Sequence, residues 1–257
     1  MKKILFFGLI AATSLGTIQV NAQDKVKYTK EQLKMMDDDL FIEMFTGVSS
    51  KKTSTVILKD GKKVEGSATD INRKKGQIYS IDIKDASGKK TEYKAEEIAE
   101  MYLPISGMAK ASKVNSYFGN SKNWGRKSLN KSTNPDEVYV KNVKASLKNK
   151  KEEKEFLMQL INPDFSSLIE VYADPNASET SGFSVGGSPS FGGGVTKSYY
   201  VKKGDEVIWL KKGEFEDHYT FLFGDNEEFM KKFPYKSIKW EHLSYLVAEY
   251  TNIVSGQ

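Results

Sequence analysis

His218 and His242 are the only two histidines of this 257-residue chain. A serine nucleophile needs such a base within hydrogen-bond reach. The letters G-x-S-x-G occur at Gly182 to Gly186, but inside the glycine-rich stretch 174–196, which we interpret as a loop and not as the strand-to-helix turn that the motif requires. Neither histidine lies in an H-E-x-x-H spacing, and the chain has no cysteine to act as a thiolate or a metal ligand. The sequence therefore indicates no catalytic residue, no metal site and no cofactor, and we expect both histidines to be surface or packing residues.

Carboxylates are the remaining source of acid–base chemistry, since a pair of them is enough for glycoside hydrolysis. The chain has 34 aspartates and glutamates, and the sequence alone singles out no pair. Asp37, Asp38 and Asp39 are consecutive, so on a helix they would point about 100° apart, and we interpret them as a polar face. A carboxylate-dependent hydrolase of envelope or extracellular polymers stays open as an alternative function.

Two glycine-rich or serine-rich stretches carry aromatic residues that are candidates for ligand or partner contacts. Residues 174–196 contain two glycine clusters, but Lys197-Ser198 follows too late for a phosphate-binding P-loop, so we interpret this stretch as a hairpin loop. Residues 104–135 are rich in turn-forming residues and are predicted to be a linker. Aromatic side chains serve burial first, but the candidates for contacts are Phe183 and Phe191 in the loop, and Tyr117, Phe118 and Trp124 in the linker.

Residues 1–22 have the pattern of a cleavable secretory signal. Lys2 and Lys3 precede an apolar run, and Val20-Asn21-Ala22 offers small residues before a cut near Ala22. The apolar run is too short for a retained membrane anchor, which needs about 20 apolar residues. We therefore expect a periplasmic or secreted protein with no transmembrane span in the mature chain.

The charge balance argues against nucleic acid as a partner. Without Lys2 and Lys3, 37 of the 39 basic residues remain against 34 acidic ones, and the two signs are interleaved as on a solvated surface. Nucleic-acid binding would need clustered basic residues on one face. The absence of cysteine also excludes disulfides. The expected partner is another envelope protein or an extracellular ligand.

The first element after the signal is predicted to be a helix, followed by five short strands. Thr29 and Gln32 form a capping box, and apolar residues at helical spacing follow until Gly47, namely Leu33, Met36, Leu40 and Met44. Asp60-Gly61 is a hairpin turn, and Gly66 marks a bulge or bend in the return strand. Tyr79, Ile81 and Ile83 alternate with polar residues, and residues 91–94 and 98–103 give two more strands. Five strands with tight turns favour a small barrel.

The helix, the segment Val56 to Gly61, and Gly66, Asp70 and Asn72 together resemble the first motif of Sm-like proteins. The family uses small barrels to form RNA-binding rings. The resemblance covers about a fifth of the chain, and the second family motif, an Arg-Gly, is replaced by residues 95–98, Ala-Glu-Glu-Ile. The resemblance therefore implies only an SH3-like or Sm-like barrel shape, and an RNA-binding function is disfavoured.

The second half is predicted to contain hairpins and then helices. Residues 138–147 read as a strand, 156–161 and 168–172 as a hairpin around Asn162-Pro163-Asp164, and 199–201 and 207–210 as a second hairpin. Phe215, Tyr219, Leu222 and Phe223 share a helical stripe, Asp225 and Glu228 suggest a capping box, and Leu243 to Tyr250 form the apolar face of a final helix. This half resembles exported Bacteroidetes-type proteins of unknown function, which implies export and architecture but no activity.

The sequence thus predicts an α+β protein with a signal peptide (1–22), a helix plus a small five-stranded barrel (23–103), a linker (104–135) and an antiparallel β-hairpin module with C-terminal helices (136–257). The function we expect is a non-catalytic binding or structural role in the cell envelope, because the export signal is present and no catalytic set is recognisable.

Overall fold

A computed structural model of the chain describes residues 25–44, 47–74, 76–107, 136–150, 152–178 and 195–256. The helices in these ranges are α1 (Lys30–Met36), α2 (Phe215–Phe223), α3 (Glu227–Lys232) and α4 (Leu243–Ser255). The strands are β1 (Thr53–Leu58), β2 (Lys63–Lys74), β3 (Gln77–Lys84), β4 (Lys90–Lys94), β5 (Ile98–Pro104), β6 (Glu137–Ser146), β7 (Glu153–Gln159), β8 (Ile169–Ala173), β9 (Ser198–Lys203) and β10 (Glu206–Lys211). The protein is therefore α+β, as predicted.

Six strands close into an antiparallel barrel in the order β2-β1-β5-β6-β7-β3, and β3 pairs back to β2. The ring closes between β3 and β7 at Ile78 and Leu157, while β4 pairs with β3 outside the ring. The prediction of a five-stranded barrel within residues 53–103 is wrong in this respect, because β6 and β7 of the second half complete it. The predicted linker falls between β5 and β6, which are neighbours in this sheet.

Gly66 lets β2 serve two partners in the barrel. β2 pairs with β1 up to Ser67 and with β3 from Ser67 onward. A Cβ atom at position 66 would lie 2.4 Å from the carbonyl oxygen of Lys84 in β3, far inside van der Waals contact. The glycine is thus required by close backbone approach, whereas the predicted irregularity of this strand occurs farther along, between Ala68 and Asp70.

A second sheet, in the order β10-β9-β8, lies between the barrel and the C-terminal helices. Alternate residues of β8 separate its two faces. Ile169 and Val171 belong to the core shared with the helices, whereas Tyr172 packs with Phe156 and Met158 of β7. The barrel has its own interior core. Three apolar layers therefore hold the fold together, and β6 and β7 are buried on both faces.

The turn at Asn162 carries the chain from the barrel to the second sheet. The predicted hairpin is only partly formed, since β7 and β8 lie in different sheets and meet at the single bridge between Leu160 and Tyr172. Asn162 is fully buried. Its Oδ1 accepts a hydrogen bond from the N–H of Val171 at 2.7 Å, and its Nδ2 donates to the carbonyl of Ile169 at 2.7 Å. The side chain of Asn162 thereby bonds backbone groups of β8 that a paired strand would otherwise bond.

Helix α1 begins with the predicted capping box of Thr29 and Gln32, but it ends much earlier than expected. The predicted stripe to Met44 is wrong, because the helix stops at Met36 and Met44 is exposed. The three aspartates that follow are poor helix formers and would face the negative end of the helix dipole. Asp39 instead accepts a hydrogen bond from the N–H of Phe41, and Phe41 becomes the buried residue.

The C-terminal helices cover the other face of the second sheet. The predicted stripe of α2 is buried, as are Leu243, Leu246, Val247 and Tyr250 of α4. The capping box predicted from Asp225 is wrong by one residue, because Asn226 accepts the hydrogen bond from the N–H of Phe229. Asp225 instead accepts hydrogen bonds from Lys203 and Tyr250, which tie β9 to α4. None of the helices in the described ranges is both long enough and apolar enough to cross a bilayer.

Candidate functional site

Polar side chains collect between the barrel and the second sheet, in what we call the interlayer. The alternation of β8 that sends Ile169 and Val171 to the helices turns Glu170, Tyr172 and Asp174 toward the barrel. The outer face of β6 contributes Tyr139 and Lys141. Two sheets therefore bring titratable groups together within a largely apolar layer.

Glu170 is the centre of the interlayer. Its carboxylate accepts hydrogen bonds from Lys141 and Tyr172, and it lies 3.7 Å from the Nζ atom of Lys202. Burial by itself would raise the pKa of Glu170, but the hydrogen bonds and positive charges outweigh it, and the net pKa is lowered. The pKa of the Tyr172 hydroxyl is raised by burial and by the bond to Glu170. Glu170 is therefore held as an anion and Tyr172 as a neutral donor.

A second carboxylate lies farther along the same layer. Glu100 accepts a hydrogen bond from the Tyr139 hydroxyl at 2.6 Å. The rings of Tyr139 and Tyr102 stack with their centroids 4.8 Å apart. Burial is the main cause that raises the pKa of Tyr139. The stacked pair therefore fixes the Glu100 carboxylate in place.

Asp174 closes the end of the interlayer where the chain leaves β8. The carboxylate is buried, and its Oδ2 accepts hydrogen bonds from Ser198 Oγ and Trp209 Nε1, both at 2.8 Å. Its Oδ1 accepts the N–H of Asn176 at 2.9 Å. Through these bonds Asp174 serves as a structural anchor for β8, β9 and β10.

The edge of β10 is also closed by a side chain. Asn149 accepts the N–H of Trp209 at 2.8 Å and donates to its carbonyl at 3.1 Å, which imitates a paired strand. Lys148 and Asn149 both have positive φ, 56° and 54°, a conformation that costs energy for non-glycine residues. The bidentate contact with Trp209 holds that strained corner.

A small cavity opens at the end of the barrel, where β5 and β7 end and β6 begins. Its volume is about 30 Å³, which exceeds the 10–15 Å³ or so that one water molecule requires. We call this site the barrel mouth and define it by six of its lining residues, Met44, Arg73, Gln77, Leu103, Gln159 and Pro175. The barrel core supplies an apolar floor, while Arg73, Gln77 and Gln159 supply polar groups.

Gln77 is the unusual residue of the barrel mouth. It is 3% exposed, and its Nε2 has no hydrogen-bond partner within the part of the chain that the structure describes. Leaving a buried amide unpaired costs about 1–3 kcal/mol. By contrast, Gln159 donates to the carbonyl of Glu43 at 3.0 Å. Within the described part of the chain, the barrel mouth therefore contains a buried donor without an acceptor, which a water molecule or a ligand would satisfy.

Arg73 adds a cation beside Gln77. Its hydrogen bond within the described residues runs to the carbonyl of Gly76 and is long, at 3.4 Å. The residue as a whole is exposed, yet burial of its guanidinium against neighbouring residues lowers the pKa of that group. Gly76 has φ +79° and packs against Pro175, where a Cβ would lie 2.8 Å from the proline ring. This contact positions the β2–β3 turn over the cavity.

The two histidines lie apart. His218 is on α2, and His242 precedes α4 and is 1% exposed. The Nδ1 of His242 accepts the N–H of Lys239 at 3.2 Å, and its Nε2 lies 3.4 Å from Asp37 Oδ1. Burial lowers the pKa of His242, so the imidazole is neutral at neutral pH. His242 is thus a packing residue, which is one of the two roles, surface or packing, expected for the histidines from the sequence.

The predicted contact residues Tyr117, Phe118, Trp124, Phe183 and Phe191 lie outside the described residues, and their role stays a prediction. The ends of their two segments are described. One segment joins β5 to β6, whose ends Leu103 and Val138 line the barrel mouth, and the other leaves β8 through Pro175, which lines it too.

The residues that define the barrel mouth were not identified from the sequence. Arg73 and Gln77 flank a turn in an ordinary strand–strand connection, and no local motif distinguishes them from other polar turn residues. The one weak signal is the position of Arg73 near the end of β2, close to the glycine of the following turn, Gly76. The interlayer carboxylates were equally hidden among the 34 acidic residues.

No family model matches the chain, and no curated protein or solved structure matches it either. The closed antiparallel barrel is consistent with the small-barrel part of the resemblance to Sm-like proteins. Among the described residues, no three His, Asp or Glu side chains are grouped so that they could hold a metal ion.

Proposed function

We propose that this protein is an exported, non-catalytic binding component of the cell envelope, and that it binds through the barrel mouth. The observation that carries the proposal is the buried Nε2 of Gln77, which is unpaired among the described residues and lines a cavity large enough for a small group. Four buried side-chain atoms lack a hydrogen-bond partner among the described residues, and of these only Gln77 Nε2 belongs to a residue that lines the cavity; the others are Ser54 Oγ, Ser146 Oγ and His242 Nε2. Without a partner in the fold, such a buried donor is the kind of group that a bound water, ion or ligand satisfies. The secretory pattern of residues 1–22 supports the envelope location.

The pKa shifts of three carboxylates that form ion pairs favour binding over hydrolysis. A glycosidase needs one carboxylic acid whose pKa is raised so that it can donate a proton. The pKa values of Glu170, Asp225 and Glu241 are lowered, because lysine contacts outweigh the effect of burial. These groups are suited to holding strands and helices together, so the hydrolase alternative has no supporting acid among them.

The proposal is tested by crosslinking the protein in its native envelope fraction, followed by purification and mass spectrometry. We expect a specific partner or ligand to be recovered with the wild type and lost with Gln77→Leu. The matched control is Lys74→Ala, which removes an exposed charge from the same hairpin without touching the cavity. Recovery that is unaffected by Gln77→Leu would refute the barrel mouth as the binding site, and an uncleaved N-terminus in cytoplasmic protein would refute export.

A further inference from the structure

The barrel mouth presents two hydrogen-bond donors side by side without an acceptor to match them. Gln77 Nε2 is buried and unpaired within the described residues, and Arg73 has only its long contact to the carbonyl of Gly76. Both residues line the cavity at the β2–β3 hairpin, where Arg73 pairs with Ile78 and Lys74 with Gln77. The cavity therefore has a buried unpaired donor, Gln77 Nε2, and a guanidinium in its lining.

The nearest acidic residue along β8 does not neutralise this cluster. Asp174 lies between Ala173 and Pro175, both of which line the cavity. Its own carboxylate is turned to the interlayer, where it accepts hydrogen bonds from Ser198 and Trp209. Asp174 therefore does not pair with Arg73, and within the described ranges no other aspartate or glutamate forms an ion pair with this guanidinium, so its charge can attract an anion.

A carboxylate is the chemical group that matches these features. Arginine is a donor in every orientation, and an ionised carboxylate is an acceptor in every orientation. Its planar shape suits the guanidinium fork, and a group of three heavy atoms suits a cavity of about 30 Å³. The floor, made in part by Leu103, Val138 and Leu157, offers contact to carbon but no partner for a further polar atom.

We propose that the barrel mouth binds the carboxylate group of a small organic acid or of a peptide C-terminus, with Arg73 and Gln77 donating to its oxygens. This inference rests on the proposed binding function and adds the class of ligand to it. Arg73 attracts and orients the anion, and Gln77 Nε2 selects a group that can accept a hydrogen bond at the buried end of the cavity.

The experiment is an NMR titration of the full mature chain, which follows the side-chain signals of Gln77 and Arg73. Sodium acetate and sodium propionate are the first probes, and sodium chloride at the same ionic strength is their control. Two short peptides of one sequence, with a free or an amidated C-terminus, distinguish a free acid from a peptide as the source of the carboxylate. We expect saturable shifts with the carboxylates and with the free peptide end only.

Variants connect the shifts to the two donors. Gln77→Leu and Arg73→Ala are each expected to weaken carboxylate binding by about tenfold, the value of one hydrogen bond to a charged group. Lys74→Ala is the matched control and should change it by less than about twofold, since an exposed charge contributes little. If Gln77→Leu fails to fold, Gln77→Met keeps the length of the side chain and replaces it in the comparison.

Several outcomes overturn the inference. Chloride that shifts the same signals to the same extent would show charge screening only, and affinity unchanged by Gln77→Leu or its replacement would place the binding elsewhere. No saturable shift with any carboxylate would mean that water alone fills the cavity. If a partner still co-purifies in that case, only the ligand class fails; if carboxylates bind but no partner is recovered, only the envelope role fails.

Discussion

Replacing Gly66 by alanine should destabilise the barrel through a single methyl group. The added Cβ would lie 2.4 Å from the carbonyl oxygen of Lys84 and 2.7 Å from Cγ2 of Ile83. Ordinary C···O contacts are about 3.3 Å or longer, so β2 and β3 must separate by roughly 1 Å. The obstacle is backbone in a hydrogen-bonded ladder, and overpacking of this kind costs about 1–3 kcal/mol. We expect a loss in the upper part of that range.

The assay is urea and thermal unfolding followed by circular dichroism. A loss of about 2–3 kcal/mol corresponds to a decrease in Tm of roughly 5–10 °C for a chain of this length. Gly213→Ala is the matched control, because a Cβ there meets no atom within 4 Å, and it should be neutral or stabilising by up to about 1 kcal/mol. If Gly66→Ala is as stable as this control, the close approach of β2 to β3 at the bend is wrong.

Three further substitutions test the contacts that join the layers. Asn162→Ala leaves the N–H of Val171 and the carbonyl of Ile169 buried without their partner, so urea unfolding should show a loss of about 3 kcal/mol; a loss below about 1 kcal/mol would contradict the role of this side chain. The folded-state pKa of Glu170 is lowered, so the stabilisation by its carboxylate is present above the unfolded pKa of about 4.3 and is lost as pH falls through the folded pKa. Glu170→Gln should therefore make Tm less dependent on pH in that acidic window. An unchanged slope of Tm against pH would contradict this role of Glu170. His242 also has a lowered folded pKa, so the unfolded chain takes up the proton first and stability should fall as pH drops below about 6.5; His242→Gln should remove that decrease.

Local signals in the sequence were sufficient for caps and turns. The capping box at Thr29 and the hairpins at Gly61 and Gly204 depend on residues within a few positions, and both glycines have the positive φ expected of them. The stripes of α2 and α4 were equally readable, since one helix face carries all their buried residues. These elements needed no knowledge of the rest of the chain.

The composition of the barrel was not readable, because its closure is non-local. β7 joins β3 through one residue pair, Ile78 with Leu157. No residue close to Ile78 in the sequence indicates that β7 is the partner of β3. Phe156, Leu157 and Met158 form a continuous apolar run because the strand is buried on both faces. Such a run identifies a buried strand but not the sheet to which it belongs.

Bulges also explain why β3 departs from the simple alternation of inward and outward residues that the sequence predicted. Tyr79 was expected on the same face as Ile81 and Ile83, but it is 49% exposed, and Ile78 takes the core position. The pairing of β2 with β3 shifts between Asn72 and Arg73, which reverses the inward face at the start of β3. Gln77, the residue next to Ile78, lies in the wall of the cavity.

Hydrogen-bond saturation separates the structural polar groups of this protein from its candidate binding group. Glu170 and Asp174 are surrounded by donors that come from different strands, so each holds the layers in register and has little capacity left for a ligand. Gln77 has the opposite status, since its buried Nε2 finds no acceptor among the described residues. The cost of that donor is offset only when the cavity is occupied. A substitution in the interlayer should therefore change stability with little effect on ligand affinity, whereas Gln77→Leu should reduce affinity and leave the fold as stable as before, or more so.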